Sequence, residues 1–129
     1  MKLREELIKR KIIKEDEQVY SSFDVIGDIC ILQIPDNLID RKKQIANVIL
    51  ELQKHVKSVY RKKDGMTGKH RVWKIEWLAG KKNTKTIHNE NGFRYSLDLK
   101  TCFFNPRYSF ERDRITKQVK KHETILVPF

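Results

Sequence analysis

Cysteine, proline and glycine are scarce in this chain, at two, three and five residues respectively, and each shortage excludes something. Two cysteines are too few for a disulfide framework. Cys30 and Cys102 each sit among apolar residues and neither belongs to a Cys-x-x-Cys pair, so buried free thiols in a reducing cytoplasm are expected. So little glycine and proline leaves no room for a low-complexity or collagen-like chain. No apolar run approaches the roughly 20 residues that a membrane helix needs, and the charged N-terminus lacks the apolar stretch of a secretory leader, so no membrane partner is expected. Also missing are a Walker loop, a Gly-x-Gly-x-x-Gly turn and a nucleophile elbow, which removes the recognisable cofactor cradles. His55, His70, His88 and His122 are scattered without metal-ligand spacing, so no metal site is expected.

Acidic residues are short in one half only. Residues 1–60 carry 11 basic and 10 acidic side chains, whereas residues 61–129 carry 17 and 7, a balance of +1 against +10 within a total of +11. With 39% hydrophobic residues the 129-residue chain can build one domain with a real core. A basic excess on a folded segment favours polyanions, because neutralising phosphates releases condensed counterions.

Leu3, Leu7, Ile8 and Ile12 recur at helical spacing and predict an amphipathic helix from residue 2 to about 14, followed by an acidic linker at Glu15-Asp16-Glu17. Phe23–Ile26 and Ile29–Ile34 read as strands joined at Gly27-Asp28. After Pro35, with Asp36 or Asn37 as N-cap, Ile45, Val48, Ile49, Leu52 and Val56 share a helical face. A short strand at Lys57–Arg61 and a turn at Lys62-Lys63-Asp64-Gly65 lead to a strand from His70 to Leu78. The period of two puts Arg71, Trp73, Ile75 and Trp77 on one side of that strand and His70, Val72, Lys74 and Glu76 on the other. Core packing is the expectation for both tryptophans, with Arg71 held at the rim of their face by its aliphatic stem.

Thr84–His88 and Phe93–Leu99 flank Asn91-Gly92, the strongest short-range hairpin signal, and Cys102–Phe104 is expected to extend the sheet. Pro106 opens a helix from Tyr108 to about Lys121. Its stripe of Tyr108, Arg112, Ile115 and Val119 contains a charge that needs a partner if buried, so Arg112 is expected in a structural ion pair ahead of a ligand contact. Asp24 and Asp28 read as local turn-bonding residues, not as a catalytic carboxylate pair.

These segments resemble one family: the archaeal and eukaryotic tRNA guanosine-37 N1-methyltransferases, which use S-adenosylmethionine. The resemblance runs through Ser22-Phe23-Asp24-Val25-Ile26-Gly27-Asp28-Ile29, Arg71-Val72, Glu76-x-Leu78-Ala79-Gly80 and Thr84-x-Thr86-Ile87-His88-x-Glu90-Asn91-Gly92. It ends with Phe104-x-Pro106-Arg107 and Glu111-Arg112-x-Arg114. It implies an α/β domain that precedes the cofactor domain and helps to bind tRNA around the anticodon. Arg71 matches an arginine implicated at the target base, where a cation stabilises charge developing on the guanine oxygen as the ring nitrogen loses its proton. Phe103 stands where the family often has tyrosine near the cofactor or guanine, and Arg107 and Arg112 match arginines of the family motif. Lys69, His70, Trp73 and Lys74 stand where Glu, Phe, Arg and Glu are common. After Ile125-Leu126-Val127 the family continues into an Asp-x-Phe-Ala-Gly-x-Gly-Pro-Phe cofactor loop, whereas this sequence stops at Phe129.

The expected fold is a single α+β domain with a mixed or antiparallel sheet packed by helices. Residues 1–17 are read as a helix and linker, 18–124 as the RNA-side domain, and 125–129 as the start of a cofactor domain. The expected function is tRNA binding without methyl transfer by this chain alone. Arg61, Lys62, Lys63, Lys69, Arg71, Lys74, Lys81, Lys82, Arg107, Arg112 and Arg114 are the candidate nucleic-acid contacts. Arg71 is catalytic only beside a cofactor domain, Phe103 is cofactor-adjacent, and no S-adenosylmethionine site is expected in the chain itself. Three other readings stand: one half of a split methyltransferase, the RNA-side domain of a wybutosine-pathway aminocarboxypropyl transferase, and a protein-interaction module.

Overall fold

Strand β2 (Ile29–Leu32) is buried at every residue, and the other elements are layered around it. The computed structural model describes residues 3–19, 23–67, 72–101, 104–121 and 123–124, with the side chains of 64–67 and 72–73 excepted. β2 pairs antiparallel with β1 (Asp24–Ile26) and parallel with β3 (Ser58–Thr67), which pairs antiparallel with β4 (Val72–Gly80). The order is β1-β2-β3-β4 in one mixed sheet. A parallel neighbour requires a crossover. It is supplied by a 3-10 turn (Asp36–Arg41) and helix α2 (Lys42–Leu52).

Alternation along β2 divides the interior in two. Cys30 and Leu32 join Leu38, Ile45, Ile49 and Val59 under the helices, while Ile29 and Ile31 join Ile26, Tyr60, Leu99 and Phe104 on the opposite face. A bulge lets β4 break its own alternation. Val59 stands opposite Ala79 but Tyr60 opposite Trp77, so the consecutive residues Leu78 and Ala79 both enter the helix-side core. Helix α1 (Leu3–Lys9) packs on α2 and sends Leu3 and Leu7 into the same core. Burial pushes the Cys30 thiol up to about 12, which leaves it an inert apolar filler.

The second face is covered by the hairpin of β5 (Lys85–Glu90) and β6 (Phe93–Asp98), a separate two-stranded sheet. Asn91 and Gly92 turn it with φ of 51° and 83°, the left-handed pair of a type I′ turn. A 3-10 turn (Pro106–Tyr108) then leads into helix α3 (Ser109–Lys117), which buries none of its residues.

Several expectations need correction. Residues 62–65 continue β3 and do not form a turn, because β3 pairs with β4 at Lys62 and again at Met66 and Thr67, with a register shift between. The first helix stops at Lys9, and Lys11 takes φ of 61°. Ile13 and Val19 are buried, and the acidic Glu17 is tied to Arg41, so this stretch is packed against the domain. Asp36 and Asn37 lie inside the 3-10 turn instead of capping α2, Val56 follows the helix, and Leu52 is exposed. Trp77 is 36% exposed and is not a core residue, since it sits on the edge strand β4. The last helix is shorter than expected, and Phe104 is outside any strand; Cys102 lies outside the described residues. The class is α+β, a mixed sheet between helices and a hairpin.

Candidate nucleic-acid interface

The motif around Thr86, His88 and Glu90 places three polar side chains on one side of β5 by strand alternation, and each reaches a different segment. Thr86 Oγ1 donates to Asp28 Oδ1 at 2.8 Å and accepts from the Asp28 backbone N–H at 3.2 Å. His88 Nδ1 accepts from the Gly27 backbone N–H at 3.0 Å, which puts the ring proton on Nε2, 3.6 Å from Glu90 Oε2. Glu90 takes Arg112 through both oxygens, at 2.5 and 2.7 Å. Arg112 also donates to the Asn105 carbonyl at 3.0 Å and lies 4.3 Å above the Phe104 ring. Gly27 is required where the β1–β2 turn meets β5. It has φ of 58°, and a Cβ there would stand 2.1 Å from Thr86 Oγ1 and 2.7 Å from the Ile87 carbonyl.

The basic residues predicted as nucleic-acid contacts separate into committed and available groups. Arg112 is committed to Glu90, as is Arg61 to Glu76 at 2.7 Å, an oxygen it shares with Lys42 Nζ at 2.7 Å. Arg114 pairs with Glu111 one turn away on the exposed face of α3. Lys63, Lys74, Lys81 and Lys82 are exposed. Lys69, Arg71 and Phe103 lie outside the described residues.

The structure brings two of the predicted cations together. Lys62 on β3 and Arg107 beyond the hairpin line one cleft of about 130 Å³ with Asp24, Asn105, Gln33 and Phe23. Arg107 Nε donates to Asp24 Oδ1 at 2.9 Å. The Lys62 ammonium is held below its ordinary range by burial, against the pull of Asp24, with Arg107 adding to the depression. Asp24 is thus bonded to Arg107 and acts on Lys62 through its charge. Asp24 and Asp28 serve as long-range anchors, to Arg107 and Thr86, in place of the local turn bonds expected from their spacing.

Sequence reasoning missed Lys85 and Lys100, which line a second groove with Lys82, Trp77, Ile75 and Tyr60. Their only signal was proximity to the Asn-Gly hairpin. It also missed Glu90 as the acceptor for Arg112, although strand alternation from Thr86 through His88 to Glu90 was visible. Among the described residues no cluster of three or more His, Cys, Asp or Glu is placed to hold a metal ion, and no helix is long and apolar enough to cross a membrane.

Comparison with known proteins assigns the family. The model described as TYW2 N-terminal domain matches residues 3–84, and the one described as TRM5/TYW2 methyltransferase domain matches residues 86–129. The two meet at the start of β5, and the bonds of Thr86 and His88 to Asp28 and Gly27 join the two matched segments. The chain is 40% identical over 127 residues to the tRNA (guanine(37)-N(1))-methyltransferase Trm5b of Methanocaldococcus jannaschii, covering 96% of this chain and 38% of that protein. It is 34% identical over 128 residues to the tRNA 4-demethylwyosine(37)-methyltransferase Taw21 of Saccharolobus solfataricus, covering 95% and 47%. A solved complex of aTrm5 with tRNALeu superposes with a TM-score of 0.78 at 39% identity, over 92% of this chain and 36% of that one. The chain thus spans between a third and a half of the length of these relatives. With both family models matched in order and the fold shared at this identity, the chain belongs to the TRM5/TYW2 family of tRNA methyltransferases.

Proposed function

We propose that this chain is the tRNA-contacting part of a methyltransferase acting at position 37, and that by itself it binds tRNA near the anticodon without transferring a methyl group. The observation that carries this reading is the convergence of Lys62 and Arg107 on Asp24 in one cleft. Two cationic side chains lining one cleft suit a phosphate, whose several oxygens accept from both. The solved complex of a relative with tRNALeu supports the choice of anion. Lys63, Lys74, Lys81 and Lys82 add exposed charge, and Arg71 and Lys69 are counted as further contacts from the family resemblance. In this reading Arg71 stabilises the target base, and the cytoplasm is the place of action.

S-adenosylmethionine does not fit the two basic clefts. Its sulfonium centre is cationic, and Lys62 with Arg107, or Lys82 with Lys85 and Lys100, would repel it. The methyl donor is then held outside these clefts by a methyltransferase domain, linked or separate, and Phe103 is assigned to it by the family resemblance.

Gel-shift titration with tRNA across salt tests the proposal. Binding should weaken steeply with salt, and Lys62→Ala or Arg107→Ala should each reduce the slope by about 1 while weakening all tRNAs alike. A salt-insensitive affinity, or no binding at low salt, would overturn it. Mixing the chain with a cofactor-binding domain tests the split-enzyme form, in which methyl transfer returns only with both. The likeness to a 4-demethylwyosine methyltransferase favours a second reading of the target. There the surface is the same and the base at position 37 is already modified.

A further inference from the structure

Trp77 occupies an unusual place. It lies on the edge strand β4 opposite the buried Tyr60, yet it is 36% exposed and opens onto a groove of about 400 Å³. Lys82, carried past it by the β4–β5 connection, holds its ammonium 6.0 Å from the indole centroid. Lys85 and Lys100 line the same groove from the hairpin, and Tyr60 and Ile75 form its floor. Burial pushes the Tyr60 phenol up, so the floor is uncharged. The neighbouring carboxylate, Asp98, accepts from Thr84 Oγ1 at 2.7 Å and from the Lys100 backbone N–H at 3.0 Å, and its charge is felt by Lys85 and Lys100, so the three lysines leave the groove a positive balance of about two with Asp98 counted.

An accessible indole with one ammonium beside it and two more lysines lining its groove is suited to an unpaired base and its phosphates. An apolar protein segment would instead have to desolvate three charges. The groove and the Lys62–Arg107 cleft are both lined by β3. Tyr60 lines one and Lys62 the other, two residues apart on the same face of β3 and so about 7 Å along the strand. One RNA strand can touch both.

We propose that Trp77, with Lys82, Lys85 and Lys100, forms a stacking platform for an unpaired base of single-stranded RNA. The inference rests on the tRNA-binding reading and names a second contact for it.

The test uses the full chain and a short oligouridylate, with tRNA in parallel. In a Trp73→Phe background Trp77 is the only tryptophan. Its fluorescence should be quenched saturably by the oligonucleotide and recover as salt rises. Trp77→Ala should weaken oligonucleotide binding about 5- to 150-fold, the range for loss of one stacked base, while Trp77→Phe keeps most of it. Should Trp77→Ala fail to fold, the exposed triple variant Lys82→Ala/Lys85→Ala/Lys100→Ala serves, with the salt slope expected to fall by about 2. If the lysine variant binds tRNA and oligonucleotide as the parent does while Lys62→Ala still weakens tRNA, the platform is wrong and the tRNA reading stands. If the parent binds neither RNA, both are wrong. Concentration-dependent shielding of Trp77 without RNA would replace the platform with pairing of two β4 edges.

Discussion

The two halves of this molecule are held by different forces. Before Gly80, α1, α2 and the sheet close around a helix-side core of aliphatic residues, including Leu7, Leu38, Ile45 and Ile49 at 0% exposure. After it, Leu99 and Phe104, in the connection between the hairpin and α3, enter the second core, while Phe110 and Ile115 of α3 stand 79% and 52% exposed. The C-terminal half is instead held by directed bonds: Thr86 to Asp28, His88 to Gly27, and Glu90 to Arg112. Apolar burial rewards volume and tolerates small shifts, whereas hydrogen bonds reward one arrangement and lose most when a single partner is removed. The first half should therefore set global stability. The second should open locally, where the proposed RNA-facing residues Arg107 and Lys82 reside.

Breaking the comparison begins with the largest effect. Ile49→Ala leaves a cavity in the helix-side core and should cost about 4 kcal/mol, read as a lower denaturant midpoint with amide protection lost in both halves. Arg112→Ala strands Glu90, whose side chain is only 5% exposed, and should cost about 3 kcal/mol. Native-state hydrogen exchange should show that loss in α3 and the hairpin while β2 and β3 keep their protection. Equal loss in both halves would mean that the division is false. Gly27→Ala should cost about 2 kcal/mol, because its φ of 58° is strained for alanine and its Cβ would meet Thr86 and the Ile87 carbonyl. Its signature is lost protection at Gly27 and Asp28 before any change in α2.

The same contrast explains what could be seen without a structure. The buried run Ile29–Leu32, the helix around Ile45 and Ile49, and the Asn91-Gly92 hairpin all follow from local periodicity or turn chemistry. The amphipathic stripe of the first helix was legible for the same reason. What was not legible depends on partners distant in sequence. Lys62 looks like a turn residue until β4 pairs with it, and Trp77 looks like core until its strand proves to be the sheet edge. Arg112 announced its need for a partner because a charge on an apolar stripe is anomalous. Nothing local says that the partner is Glu90. The convergence of Lys62 with Arg107 likewise depends on the hairpin folding back over β1.

Acid gives the smallest effect and the finest discrimination. Glu76 on β4 accepts from Lys42 and Arg61, both at 2.7 Å. These bonds, Lys42 first, bring its carboxyl from an ordinary 4.5 to about 2. Because the folded value lies below the unfolded one, the stabilisation is complete above about pH 4.5 and is lost as pH falls toward 2. The pair is partly exposed, so the amount is about 1 kcal/mol or less. Glu76→Gln should flatten thermal stability against pH in that window by this amount and change little at pH 7. Glu90 is lowered too, chiefly by Arg112, so acid also removes the main anchor of α3. The C-terminal half has few apolar residues to compensate, whereas β4 keeps Leu78 and Ala79 in the core. On lowering the pH, amide protection should therefore disappear from α3 and the hairpin before β3 and β4, with Glu76→Gln leaving that order unchanged. Simultaneous loss in both halves would show that they are one cooperative unit.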